Sequence, residues 1–204
     1  MKIMSHRGFW KQPAEKNTLA AIAYSVAQGF GTETDVRDRL GELVLAHDPA
    51  LMDAPEWKRV VALFIASGLP LAVNVKADGL SPALAKAFGS SGIDWFAFDM
   101  SGPETVRFAR AGLPYFTRQS DVEPEPILYE GATGVWLDGF DGIWYDRAVI
   151  ARHLAAGKRV CVVSPDLHGR DPGQLWPLLR GLPDTVMLCT DLPDLALHYF
   201  DSKQ

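Results

Sequence analysis

Four short clusters carry groups able to move protons or meet charge: His6-Arg7-Gly8, Glu33-Thr34-Asp35, His47-Asp48 and Asn74-Val75-Lys76. Imidazole titrates near neutrality, so His6 and His47 suit proton transfer in either direction. Arg7 offers a planar fork of donors to an oxyanion, and Lys76 a compact positive charge. Glu33 and Asp35 supply a pair of carboxylates. They also raise a difficulty. If GTETDVRD (31–38) is extended, Glu33, Asp35 and Arg37 share one face, successive members about 7 Å apart. Burying two unpaired carboxylates side by side is expensive. The pair is therefore either a solvated edge or part of a site that uses negative charge.

The elements that must position these groups are legible as a rhythm. Short apolar runs rich in β-branched and aromatic residues recur at 2–6, 31–36, 71–76, 95–99, 114–118, 134–138, 159–164 and 185–190. Between most of them lie helical patterns that end at glycine, the first starting at a candidate cap, Thr18, and stopping at Gly29. The segment PGQLWPLLRG is less regular because Pro177 interrupts it. GELVLAHDP (41–49) reads as a return strand or extended loop, and the Pro- and Glu-rich segment 119–133 as a loop. Eight strands alternating with helices predict an α/β fold, a compact single-domain (β/α)8 TIM barrel with short loops over 1–204. A doubly wound open sheet is the competing arrangement.

In a barrel, functional groups gather at the C-terminal strand ends. His6, Glu33, Asp35, Asn74, Lys76, Asp99, Arg118, Asp138, Ser164, Asp166 and Asp191 all fall at or near such positions. For Asp99 and Asp191, capping of the following helix is the favoured role. His153, His168 and His198 have no comparable setting and read as surface or internally satisfied residues.

Composition narrows the class. The 204 residues are 48% hydrophobic and 22% charged, with a net charge of -5. That balance argues against an electrostatic nucleic-acid binder. Cys161 and Cys189 each sit in an apolar run and read as small buried thiols rather than a disulfide. No stretch approaches the roughly 20 apolar residues of a membrane span, and MKIMSHRG lacks the apolar core of a signal peptide. A soluble cytoplasmic protein is expected.

HRG (6–8), KNTLAA (16–21), GFGTETDV (29–36), HDP (47–49) and CTDLPD (189–194) together resemble the glycerophosphodiester phosphodiesterase family. That family belongs with the phosphatidylinositol-phospholipase-C-like barrels. The resemblance implies a divalent-metal-dependent phosphodiester hydrolase acting on a glycerophosphodiester or related small molecule. By motif, His6 and His47 would form the acid–base pair, and Arg7 and Lys76 would hold the phosphate. Glu33, Asp35 and Asn74 would bind Mg2+ or Ca2+, and Asp48 could orient a histidine. The substrate's own neighbouring hydroxyl would attack first in such a mechanism.

Two departures stand out. The family's Glu-x-Lys on the third strand is Asn74-Val75-Lys76, which removes one negative charge from the metal site. Its Glu-Asn-Thr is Lys16-Asn17-Thr18, and Glu15, one residue earlier, is not assigned the missing role. Trp136, Phe140, Trp144 and the loop from Ser164 to Gly169 are expected to border the pocket and to favour a larger or ring-bearing alcohol. A barrel that binds a phosphorylated ligand without turnover is the alternative. An aldolase-like barrel with Lys76 as amine nucleophile is a weaker one.

Overall fold

The computed structural model describes residues 1–202. Nine strands form one sheet: β1 (Lys2–His6), β2 (Gly31–Arg39), β3 (Glu42–Leu45), β4 (Leu71–Val75), β5 (Trp95–Phe98), β6 (Phe116–Gln119), β7 (Gly134–Leu137), β8 (Arg159–Val163) and β9 (Val186–Thr190). The helices are α1 (Leu19–Ala27), α2 (Trp57–Phe64), α3 (Ser81–Phe88), α4 (Gly102–Arg110), α5 (Arg147–Ala155), α6 (Trp176–Leu179) and α7 (Pro193–Asp201). All strands except β3 pair in parallel, in the order β5-β4-β2-β1-β9-β8-β7-β6. The two ends meet at a parallel bridge between Ala97 and Tyr115, where Ala97 N donates to Pro114 O at 3.0 Å. The eight parallel strands therefore close into a (β/α)8 barrel, not an open sheet.

The return strand is β3. It runs antiparallel to β2, from Val36 opposite Leu45 to Arg39 opposite Glu42. The two residues left in the turn, Leu40 and Gly41, have φ of +53° and +87°, the left-handed pair that matches strand twist in a tight hairpin. Thr18 caps α1 as its sequence suggests, its hydroxyl accepting from Ala21 N at 3.2 Å. The Pro177 segment yields only the short α6.

Strand alternation sorts the side chains into two layers. One set packs outward beneath the helices: Val36, Leu71, Val73 and Ala97 beneath α2 to α4, Val135, Leu137, Val160 and Leu188 beneath α5 to α7. The other set fills the barrel interior with Met4, Ala72, Phe96, Phe98, Phe116, Trp136, Cys161, Met187 and Cys189. Ring pairs stack inside, Phe96 on Phe116 at 3.6 Å and Phe98 on Trp136 at 3.8 Å between centroids. Both cysteines are buried there as free thiols. Register then fixes what lies above this apolar floor. His6 pairs with Glu33, Glu33 is opposite Ala72, and Asp35 is opposite Asn74. His6 and Asn74 are each one pleat repeat beyond an interior apolar residue, Met4 and Ala72. Glu33 and Asp35 lie on the face of β2 opposite to the outward Val36. All four therefore face the lumen at the C-terminal mouth.

Candidate functional site

The chain leaves β1 through a tight turn. Arg7 and Gly8 have φ of +58° and +89°. A Cβ on Gly8 would stand 2.8 Å from the backbone of Ala21, so α1 approaches the turn as closely as it does only because residue 8 is glycine. This turn sets Arg7 over β2, where Arg7 N donates both to Glu33 O at 2.8 Å and to Glu33 Oε2 at 3.1 Å.

Glu33 and Asp35 are 1% and 0% exposed, which excludes a solvated edge. Asp35 is compensated from three directions. Arg7 Nε lies 3.1 Å from Oδ2, Asn17 Nδ2 donates to Oδ2 at 2.6 Å, and Lys76 Nζ is 3.4 Å from Oδ1. Glu33 is less well served. Burial, followed by repulsion from Asp35, lifts its carboxyl from 4.5 to about 7, and His6, Arg7 and Lys76 offset only part of this.

His6 is gripped through Nδ1, 2.7 Å from Asp191 Oδ1, and its Nε2 is 3.8 Å from Glu33 Oε2. The other oxygen of Asp191 accepts from Lys16 Nζ at 3.1 Å. Asp191 is thus an orienting group for His6 rather than the cap of α7, whose N-cap residue is Leu192. Asp166, bonded to Thr190 Oγ1 and Asp191 N at 2.9 and 2.7 Å, braces this corner. Lys16, which departs from the motif, reaches the site, whereas Glu15 accepts only the nearby backbone N–H groups of Lys11 and Gln12.

Across the mouth, Asp99 is also not a cap. That role belongs to Ser101, whose hydroxyl accepts from Glu104 N. Asp99 instead meets Arg118 Nη1 at 2.7 Å and accepts from Asn74 Nδ2 at 3.4 Å. Burial holds its carboxyl above the usual range despite Arg118 and Lys76. His168, read as a surface or internally satisfied residue, has Nε2 2.8 Å from Asp138 Oδ1. His153 is internally satisfied by Tyr129 and Gln119, and His198 is exposed.

These groups share one cleft of about 220 Å3, lined by His6, Arg7, Glu33, Asn74, Lys76, Asp99, Arg118, Asp138 and His168, with Phe98, Trp136, Phe140, Val163 and Leu167 as apolar wall. A larger groove, about 370 Å3, passes Leu43, Trp57 and Ala87 outside the barrel and contains none of the motif residues. Trp144 is not in the cleft wall; its indole N–H is spent on Asp138 O at 2.6 Å. Nor is His47. It stands on the loop after β3 with its side chain 41% exposed and Nδ1 2.9 Å from Asp48 Oδ1.

Among the described residues, no group of three or more His, Cys, Asp and Glu side chains is arranged to hold a metal ion. Oxygen donors in the cleft wall and just behind it, where Asp35 lies, are nevertheless suited to a hard cation. Asn74 Oδ1 is buried with no hydrogen-bond partner, and Asp35 Oδ1 has only the ammonium of Lys76 beside it. A buried acceptor without a donor calls for something positive.

The C-terminal mouth of this (β/α)8 barrel thus gathers two imidazole–carboxylate pairs, the buried acids Glu33 and Asp35, and the cations Arg7, Lys76 and Arg118. Comparison with solved structures places the fold. A glycerophosphodiester phosphodiesterase from Agrobacterium tumefaciens superposes with a TM-score of 0.75 at 18% identity, covering 98% of this chain and 99% of that one. A putative glycerophosphodiester phosphodiesterase from Galdieria sulphuraria gives 0.77 at 15% identity, with 98% of each chain covered. A calcium-dependent phosphoinositol-specific phospholipase C from Pseudomonas sp. gives 0.62 at 8% identity, over 95% and 89% of the two chains. No protein-family model and no curated protein sequence matches the chain. The chain has the fold of the glycerophosphodiesterase and phospholipase C-like barrels. No helix of the described residues is long and apolar enough to cross a membrane.

Proposed function

We propose that this chain is a phosphodiester hydrolase acting on a glycerophosphodiester or a related small diester. The observation that carries the reading is His6, clamped by Asp191 at 2.7 Å, beside buried Glu33 in a cleft that Arg7 and Lys76 also line. Cleavage needs a base for the attacking hydroxyl and an acid for the departing oxygen. Asp191 on Nδ1 fixes the His6 tautomer with Nε2 free to accept a proton, whether from water or from a neighbouring hydroxyl of the substrate. The guanidinium of Arg7 and the ammonium of Lys76 suit the phosphate's charged oxygens. The sequence motif nominates His47 for the second proton transfer. Glu33, Asp35 and the Asn74 amide oxygen would hold Mg2+ or Ca2+, and a cation there would offset the phosphate's charge. The fold shared with glycerophosphodiesterases and a phospholipase C supports the same substrate class.

The test is turnover of a panel of glycerophosphodiesters and of bis(p-nitrophenyl) phosphate, with Mg2+, Ca2+ or chelator. Metal-stimulated cleavage that His6→Ala abolishes is expected. Folded protein inert across the panel overturns the proposal. Asn74, in place of a carboxylate, favours one other reading: a barrel that binds a phosphorylated ligand without cleaving it. Phosphate-ester binding that survives His6→Ala, with no turnover by the parent, would establish that.

A further inference from the structure

The cleft contains a second imidazole–carboxylate pair that the mechanism above leaves unused. His168 and Asp138, 2.8 Å apart, line the same cleft as His6. The pair is fixed from several sides. Asp138 Oδ1 also accepts from Gly139 N at 2.7 Å, and its carbonyl accepts from Trp144 Nε1. Arg170 bonds back to Gly139 O, tying the loop after β8 to the loop after β7. The turn Pro165–His168 ends at Gly169 with φ of +70°, and the Phe140 ring lies tilted 5.3 Å from the imidazole of His168. With Nε2 engaged, Nδ1 has no hydrogen-bond partner among the described residues. A carboxylate on one ring nitrogen stabilises the imidazolium and directs the other nitrogen's proton outward. The two pairs are complementary. His6 gives Nδ1 to its aspartate and keeps Nε2, whereas His168 gives Nε2 and keeps Nδ1.

We propose that His168, positioned by Asp138, donates the proton to the departing alcohol oxygen, the role that the sequence motif offers to His47. The proposal rests on the phosphodiesterase reading. The attacking oxygen forms its bond to phosphorus and passes its proton to His6 Nε2. The bond from phosphorus to the leaving oxygen breaks, its electron pair stays on that oxygen, and the proton from His168 Nδ1 completes the alcohol. His6 ends cationic and His168 neutral, and exchange with water resets both. His47 is worse placed for this step, being 41% exposed and bonded to an aspartate that is 89% exposed.

Leaving-group dependence tests the assignment. An alkyl alcohol such as glycerol leaves poorly without a proton, while p-nitrophenolate needs none. His168→Gln, Asp138→Asn and His47→Gln are compared with the parent on a glycerophosphodiester and on bis(p-nitrophenyl) phosphate. His168→Gln should lose about 10²- to 10⁴-fold in kcat on the alkyl diester. Its loss on the aryl diester should be at least tenfold smaller. Asp138→Asn should show the same selectivity, and it decides the matter if His168→Gln does not fold. His47→Gln should affect both substrates alike. Equal losses on both diesters for the His168 and Asp138 variants would mean a structural role and overturn the proposal. Selectivity appearing in His47→Gln instead would also overturn it. A folded parent that cleaves neither diester overturns the phosphodiesterase reading itself, and the donor role with it.

Discussion

Glu33 offers the sharpest physical test of the cleft, because its charge is the least compensated. Its carboxyl stands at about 7 against 4.5, first through burial and then through repulsion from Asp35. A group whose folded pKa is raised binds its proton more tightly in the folded state. Stability should therefore fall as pH rises from 4.5 to about 7, with the full cost present above that range. At about 1.4 kcal/mol per unit, the cost is about 3 kcal/mol. At about 2–4 °C per kcal/mol for a chain of this size, that is about 10 °C in Tm. Glu33→Gln removes the charge but keeps an oxygen to accept from Arg7 N, which lies 3.1 Å from the carboxylate. In chelator, melts from pH 4.5 to 8.5 should show the wild-type Tm falling by about that amount relative to Glu33→Gln. Millimolar Mg2+ or Ca2+ at pH 8 should recover the loss in the wild type and not in the variant. Parallel Tm curves for the two proteins across this range would refute the claim that Glu33 is buried at an electrostatic cost.

Three other substitutions probe the same framework. Asn74→Asp restores a third carboxylate near Glu33 and Asp35, and should tighten Mg2+ or Ca2+ binding on the order of tenfold by calorimetry; unchanged affinity would remove Asn74 from the ligand set. Asn17→Ala strips a donor from Asp35 Oδ2 at 2.6 Å and an acceptor from Thr34 Oγ1 at 2.7 Å, so urea denaturation should report a loss of about 1–3 kcal/mol. Buried Glu104 is pushed up by burial, but the N–H groups of Gly79 and Ser81, at 2.7 and 2.9 Å, outweigh this and hold its carboxyl below 4.5. Its contribution is present above pH 4.5 and is lost as pH falls through the folded pKa, so Glu104→Gln should flatten the acid limb of the stability curve.

The strand rhythm was readable because each strand is a local apolar run, and the register of β2 was readable because alternation is local as well. That is why Glu33 and Asp35 could be placed on one shared face, and GELVL as a return strand or extended loop, from residues a few positions apart. Asp191 could not be assigned in this way. It lies 185 positions from His6, and only the adjacency of β1 and β9 in the closed barrel brings the two within 2.7 Å. The same is true of His168 and Asp138, 30 positions apart on loops after neighbouring strands. A strand-end aspartate followed by a turn looks locally like a helix cap, and an isolated histidine in a turn looks like a surface or internally satisfied residue. The sequence by itself determined which strands exist and which side chains share a face, since both follow from short-range sterics and hydrophobic alternation. Which acid holds which imidazole depends on which strands become neighbours, β1 with β9 and β7 with β8, and that pairing is a property of the whole chain.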